Sequence, residues 1–264
     1  MSDETAAEPV AGYLQTTHWS LPQFLLVFGV GLVVSLLATI VATTLGGDDL
    51  SVQAFAIIFG AQSLGSLGTM WWLSRTRGSG SLRDDFGLRL DLSDFWAIFA
   101  GFGLQIGLAL LTAPLVYLFF GDDPPQQQVS EIAGSSSSLG DAVLIVLALG
   151  LLAPLTEEMM FRGMLLSRAA RALSRTASIV VTAATFALIH LLDPSALIYL
   201  PGLFVIGVVL ALVSLRRGDL SLAIPIHAGI NLTAALLLLF GDELVDWAEE
   251  QQEQLQGLIH LFFS

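Results

Sequence analysis

Seven stretches of this chain are long and apolar enough to cross a bilayer, and that constrains its folding more than any other feature. Spanning ~30 Å of hydrocarbon takes about 20 mostly apolar residues in a helix. The runs Pro22–Leu45, Val52–Leu73, Phe95–Phe120, Ala142–Leu166, Ala177–Leu192, Leu197–Leu215 and Leu222–Phe240 each meet that requirement or approach it. Backbone amides in lipid must bond within their own segment, so runs of this kind form helices. The expected fold is all-α: a polytopic membrane helical bundle of about seven transmembrane helices. It divides into an acidic N-terminal tail (1–21), a membrane domain (22–240) and an acidic C-terminal tail (241–264).

Composition narrows the functions available. Only 12% of the residues are charged, about half the supply of a soluble domain. The net charge of −13 leaves no basic stripe for nucleic acid. There is no cysteine and no lysine, so thiol nucleophiles, cysteine-ligated metals and Schiff-base chemistry are excluded. The first 21 residues carry no basic residue, unlike the n-region of a signal peptide, and the first run is expected to be retained.

Nine of the ten arginines fall between runs two and three, four and five, or six and seven. With seven alternating spans those three connections share one face, which the positive-inside rule assigns to the cytoplasm. The segment Gly121–Gly140, rich in Pro, Gln and Ser, reads as a flexible loop. The tail Asp242–Glu253 carries six acids and reads as a solvated amphipathic helix. The closing apolar stretch, Leu255–Phe263, is too short to span and is expected at the interface or packed back on the bundle.

The tenth arginine, Arg162, lies inside run four, among the few ionisable residues within spans. Such residues are costly in lipid and mark function or a structural pair. Glu157, Glu158 and Arg162 lie near the end of run four, His190 near the end of run five after Phe186, and His227 and Asn231 in run seven. Glu158 and Arg162 are i,i+4 and can pair, whereas Glu157 is rotated by ~100° and points elsewhere. His227 and Asn231 share one helical face, as do Phe186 and His190, which sets an aromatic wall beside an imidazole. Pro154 and Pro225 lie within a turn of these groups and are expected to kink their helices. One shared interior cavity, water-filled and open toward the cytoplasm, would house all three clusters.

A carboxylate near an imidazole can take a proton from water and direct the hydroxide at a carbonyl. A second imidazole and a carboxamide on one face can stabilise the oxyanion. Glu157, His190, His227 and Asn231 supply these types and point to acyl hydrolysis without a serine or cysteine nucleophile. The competing account places zinc on Glu157, His190 and His227, although the helical zinc-protease signature H-E-x-x-H is absent. A proton-coupled transporter is the rival from another class, and a non-catalytic scaffold or immunity protein is the third reading.

The three motifs, Glu157-Glu158-x-x-x-Arg162, Phe186-x-x-x-His190 and His227-x-x-x-Asn231, resemble those of the CAAX-protease and bacteriocin-processing (CPBP, or Abi) family of intramembrane endopeptidases, which includes the type II CAAX prenyl endopeptidases. The resemblance covers roughly residues 140–240. It implies Glu157 as general base, His190 as its aid in holding water, and His227 with Asn231 as the oxyanion site. Glu158 and Arg162 would support them. It implies no obligate cofactor, with zinc as the alternative, and a peptide or membrane-protein substrate met in the bilayer. The Arg/Ala/Gly-rich, lysine-free composition fits a prokaryotic cell membrane.

Overall fold

The computed structural model describes residues 18–46, 51–121, 128–136 and 138–263. The N-terminal tail expected over 1–21 lies almost wholly outside them. Every regular element among the described residues is helical. The main helices are α1 (Leu21–Gly46), α2 (Val52–Arg77), the short α3 (Leu82–Phe86), α4 (Ala97–Phe120), α5 (Gln128–Gly134), α6 (Leu139–Ala172), α7 (Arg175–Ile189), α8 (Leu200–Arg217) and α9 (Ala223–Phe263). Seven segments are long and apolar enough to cross a membrane, in the places the hydropathy indicates. The protein is an integral, multi-pass membrane helical bundle.

Local chemistry sets where the spans begin and end. Ser51 and Ser174 cap α2 and α7 by accepting the N–H groups of Ala54 and Ala177, which satisfies donors the first helical turn leaves open. Gly218, at φ 78°, closes α8 in the left-handed conformation that favours glycine. Pro225 does not kink α9. It sits in that helix's first turn, where an absent N–H costs nothing.

Two departures from the expected loops have plain causes. The segment Gly121–Gly140 contains α5, whose Ile132 and Ala133 are buried against Val52, Ile145 and Ala235. A short apolar stripe is enough to dock it. The acidic tail is a continuation of α9, which runs unbroken for 41 residues, so Leu255–Phe263 extends that helix and does not fold back.

The principal core joins α1, α2, α6, α7, α8 and α9 around Phe161, Phe186, Met164, Leu166 and Leu210. At the arginine-bearing end it is capped by residues 82–94. Trp19 stacks on Phe86 with ring centroids 4.9 Å apart, and its indole N–H donates to the Asp85 carbonyl at 2.7 Å. Asp85 accepts from the Ser74 hydroxyl at 2.5 Å and from the Ser79 amide at 2.9 Å. Arg217 reaches Asp94 at 2.8 Å.

Helix α4 packs chiefly on α9, where Gly101 meets Gly229. A Cβ at Gly101 would overlap the Ile226 carbonyl oxygen, whereas one at Gly103 would meet nothing within 4 Å. Gly101→Val is therefore expected to destabilise the bundle by about 1–3 kcal/mol, the usual range for overpacking. Gly103→Val should change little. Thermal unfolding of the two variants in detergent checks the contrast.

Candidate active site

Helix α6 carries the carboxylates, and its winding decides where they point. Two stretches, Ala148–Leu152 and Met159–Leu166, are π-helical, with ordinary α-helix between them. In the first, the Ala153 N–H donates to the Ala148 carbonyl, five residues back. The next π-type partner, for the Leu149 carbonyl, would be residue 154. That residue is Pro154, which has no N–H. The stranded Leu149 oxygen is instead taken by the Asn231 side chain, whose Nδ2 donates to it at 2.9 Å. The proline thus disturbs α6 as expected, and the repair comes from α9. In the second stretch the Ser167 hydroxyl bonds back to Gly163 and Met164, both at 2.8 Å.

Glu158 and Arg162 form the expected pair, with Nη1 and Oε1 2.9 Å apart and both side chains fully buried. The same Oε1 also accepts from His227 Nδ1 at 2.8 Å. An ionised carboxylate only accepts, so Nδ1 carries the proton and Nε2 faces the other way. It looks toward Glu157, whose Oε2 lies 3.7 Å off. Arg162 also donates through Nη2 to the Gly207 carbonyl of α8 at 3.2 Å. Its guanidinium carbon sits 4.7 Å from the centre of the Phe186 ring, within cation–π reach.

Phe186 is the hinge of the cluster. Its ring centroid lies 5.1 Å from that of His190, 5.7 Å from His227 and 5.2 Å from Phe161, edge-to-face in each case. The expected pairing of Phe186 with His190 is present. His190 Nδ1 lies 2.8 Å from the Phe186 carbonyl, to which an Nδ1–H would donate, leaving Nε2 as acceptor.

Glu157 and His190 line one cleft of about 150 Å³, with Thr156, Met160 and Phe161 of α6, Phe28 of α1 and Gln62 of α2 among its walls. That is below the ~300–1,000 Å³ of small-molecule pockets, so it suits a piece of chain better than a whole organic cofactor. Glu157 keeps 25% of its side chain exposed while Glu158 keeps none, as their rotation on the helix requires. His227 and Asn231 stand behind this wall and do not line it. Three residues that the sequence reading passed over do line it: Gln62, Ser63 and Thr156. The available signal was the polar pair Gln62-Ser63 in an otherwise apolar span and a threonine directly before the glutamates.

These groups meet because α7 ends at His190 and α9 begins after a connector buried in the bundle. Helix α7 has 15 residues, about 22 Å at 1.5 Å per residue, short of the ~30 Å hydrocarbon. It ends at His190 and gives way to two 3-10 turns, His190–Leu192 and Pro194–Tyr199. The connector before α9 is itself interior: Leu220 is fully buried and its N–H donates to the Gly87 carbonyl at 2.9 Å. On the arginine-bearing side the core is closed by Phe86, Leu166 and Leu220. The most exposed lining residue is Leu192, at 67%, beyond the opposite end of α7.

The zinc alternative on Glu157, His190 and His227 would have to draw on the Nε2 atoms of the two imidazoles. His190 and His227 each have Nδ1 engaged by another partner. Among the described residues no three His, Asp or Glu side chains converge as a ligand set.

Breaking the buried pair exposes its structural share. Arg162→Met strands a buried carboxylate and is expected to cost about 3–5 kcal/mol. Glu157→Gln, at a partly exposed site with no buried partner charge removed, should cost under ~1 kcal/mol. Unfolding of both variants in detergent measures the difference.

Comparison with known proteins adds one match. Residues 139–233 fit the family described as Rce1-like, the Type II CAAX prenyl endopeptidase Rce1-like family. No curated protein and no solved structure matches the chain. The matched segment runs from the start of α6 into α9 and contains all seven residues of the three motifs. Through that segment the chain is similar to the type II CAAX prenyl endopeptidases.

Proposed function

We propose that the protein is a glutamate-dependent intramembrane endopeptidase acting on a peptide or membrane-associated protein, in a prokaryotic cell membrane with its arginine-bearing loops in the cytoplasm. The observation that carries this reading is the placement of Glu157 on the cleft wall, facing the Nε2 of a histidine whose Nδ1 is held by Glu158.

The reaction follows from that geometry. Water held between Glu157 and His190 gives a proton to the Glu157 carboxylate, and its oxygen bonds to the scissile carbonyl carbon. The carbonyl π pair moves to oxygen and forms the tetrahedral oxyanion. The proton passes from Glu157 to His227 Nε2. The resulting imidazolium is balanced by Glu158, as a carboxylate balances the imidazole of a hydrolytic triad. With both nitrogens protonated, His227 donates from Nε2 toward the oxyanion or the departing nitrogen. Asn231 has two N–H donors. One holds the Leu149 carbonyl, and the second is assigned to the oxyanion. When the C–N bond breaks, the leaving nitrogen takes the proton and a carboxylic acid is released.

No step of this reaction uses a metal. The decisive test is cleavage of a quenched peptide library by purified protein in detergent, with Glu157→Gln alongside and chelator titrated in. Glu157→Gln keeps the shape of the side chain and removes the base. It is expected to lower cleavage by at least ~100-fold, with the wild type insensitive to chelator. Loss of wild-type cleavage in chelator, restored by zinc, would transfer these residues to a metal site.

A further inference from the structure

The cleft has a second wall that the proposed chemistry does not use. Thr156 is 7% exposed, lines the cleft, and its hydroxyl has no hydrogen-bond partner among the described residues. This is unusual within the molecule. Thr39, Thr43, Thr69, Thr112, Thr182 and Thr233 each donate to the carbonyl four residues back on their own helix. That is the ordinary way to satisfy a hydroxyl in an apolar helix. Thr156 does not, one residue before Glu157.

Across the cleft, α2 presents Gln62 and Ser63. Ser63 is 2% exposed. Side-chain hydrogen bonds link other serines and glutamines to their surroundings, as Ser66 is bonded to the Val27 carbonyl at 3.5 Å and Gln53 to Asp141, but none joins Gln62 or Ser63 to a described residue. A hydroxyl or carboxamide left without a partner in an apolar interior costs about 1–3 kcal/mol by mutational measure. Thr156 is such a group, and with Gln62 and Ser63 lining the same cleft from a helix far away in sequence, the three call for a common polar ligand. The small cleft excludes a large one. A peptide backbone supplies an N–H and a C=O at every residue, and a carboxamide with two hydroxyls can answer both.

We propose that Gln62, Ser63 and Thr156 form a backbone-binding strip that holds the substrate chain extended beside Glu157. This rests on the endopeptidase reading for its substrate class. The strip recognises main-chain amides, so selectivity among side chains falls to the apolar walls, Phe28 and Phe59. Helix α2 lies outside the 139–233 match, so this half of the substrate site belongs to the N-terminal hairpin.

Binding, measured apart from turnover, tests it. The probe is a fluorescein-labelled octapeptide of alternating alanine and leucine, together with its analogue N-methylated at the four central amides. Fluorescence polarisation is read against full-length Glu157→Gln protein in nanodiscs, with empty nanodiscs subtracted. Adding Thr156→Val or Gln62→Leu to that background is expected to weaken octapeptide binding by about tenfold, equivalent to ~1.4 kcal/mol. Thr156→Ser, which keeps the hydroxyl, should stay within about twofold, a change of ~0.4 kcal/mol. The N-methylated analogue should bind weakly to all of them. Equal affinity across the variants, equal affinity for the two peptides, or no saturable binding overturns the proposal. The two readings fail separately. Strip-dependent binding in a protein whose wild type cleaves nothing removes the endopeptidase and keeps the strip. Cleavage by a wild type whose octapeptide affinity ignores Thr156 and Gln62 does the reverse.

Discussion

A single guanidinium buried in the bundle organises four helices. Arg162 of α6 is fully inaccessible, and every contact that makes its burial tolerable comes with a geometric demand. Glu158 must lie one turn back on the same helix. The Gly207 carbonyl must come close on α8, and Gly207 allows it because even a Cβ there would lie 2.9 Å from Ala183 of α7. The Phe186 ring must lie over the cation from α7. His227 must complete the carboxylate's bonding from α9. A buried charge that loses a partner costs several kcal/mol. The pair therefore acts less as a source of stability than as a condition on how α6, α7, α8 and α9 assemble. Glu157, one residue from this anchor, inherits a fixed position without being consumed by it.

Irregular backbone performs the complementary task. A regular α-helix of this composition would leave the Gly150 carbonyl, four residues before Pro154, without a donor. The π-turn moves the mismatch to the Leu149 carbonyl, and Asn231 closes it from α9. In lipid there is no water to perform such a repair, so a carboxamide at residue 231 has a structural reason to exist apart from any chemistry. The same residue is a clamp between helices, and its second N–H is the one that the proposed reaction assigns to the oxyanion. His227 behaves in the same way, with one nitrogen spent on Glu158 and the other turned to Glu157.

Much of this could be read in the chain because its signals are periodic and local. Apolar run length located the seven spans. The i,i+4 rule located the Glu158–Arg162 pair, the Phe186–His190 contact and the rotation that separates Glu157 from Glu158. What the chain hid is what depends on neighbours distant in sequence. Nothing at residue 227 says that its ring turns to Glu158, 69 positions away. Spacing likewise cannot reveal that Asn231 answers a carbonyl orphaned by Pro154. The same periodicity misjudged Pro225, because a proline in a first turn and one in mid-helix look alike until the helix start is known. The surroundings of the cleft were hidden for a related reason. Loop charge indicates sidedness, but only packing shows that residues 82–94 and the connector after Gly218 close the arginine-bearing end.

Helix α9 has an electrical consequence. It begins next to Arg217, crosses the bundle by Gly241, and continues unbroken through a segment with six acids. At 1.5 Å per residue its 41 residues reach about 60 Å, roughly twice the hydrocarbon thickness. One rigid rod thus carries anionic charge to the face opposite nine of the ten arginines. A transmembrane potential of ~100 mV weighs on each charge by about 2.3 kcal/mol. Inverting the protein would have to move both sets against that field at once. The bundle is polarised like a dipole across the bilayer, and an energised membrane holds it in one orientation from both ends.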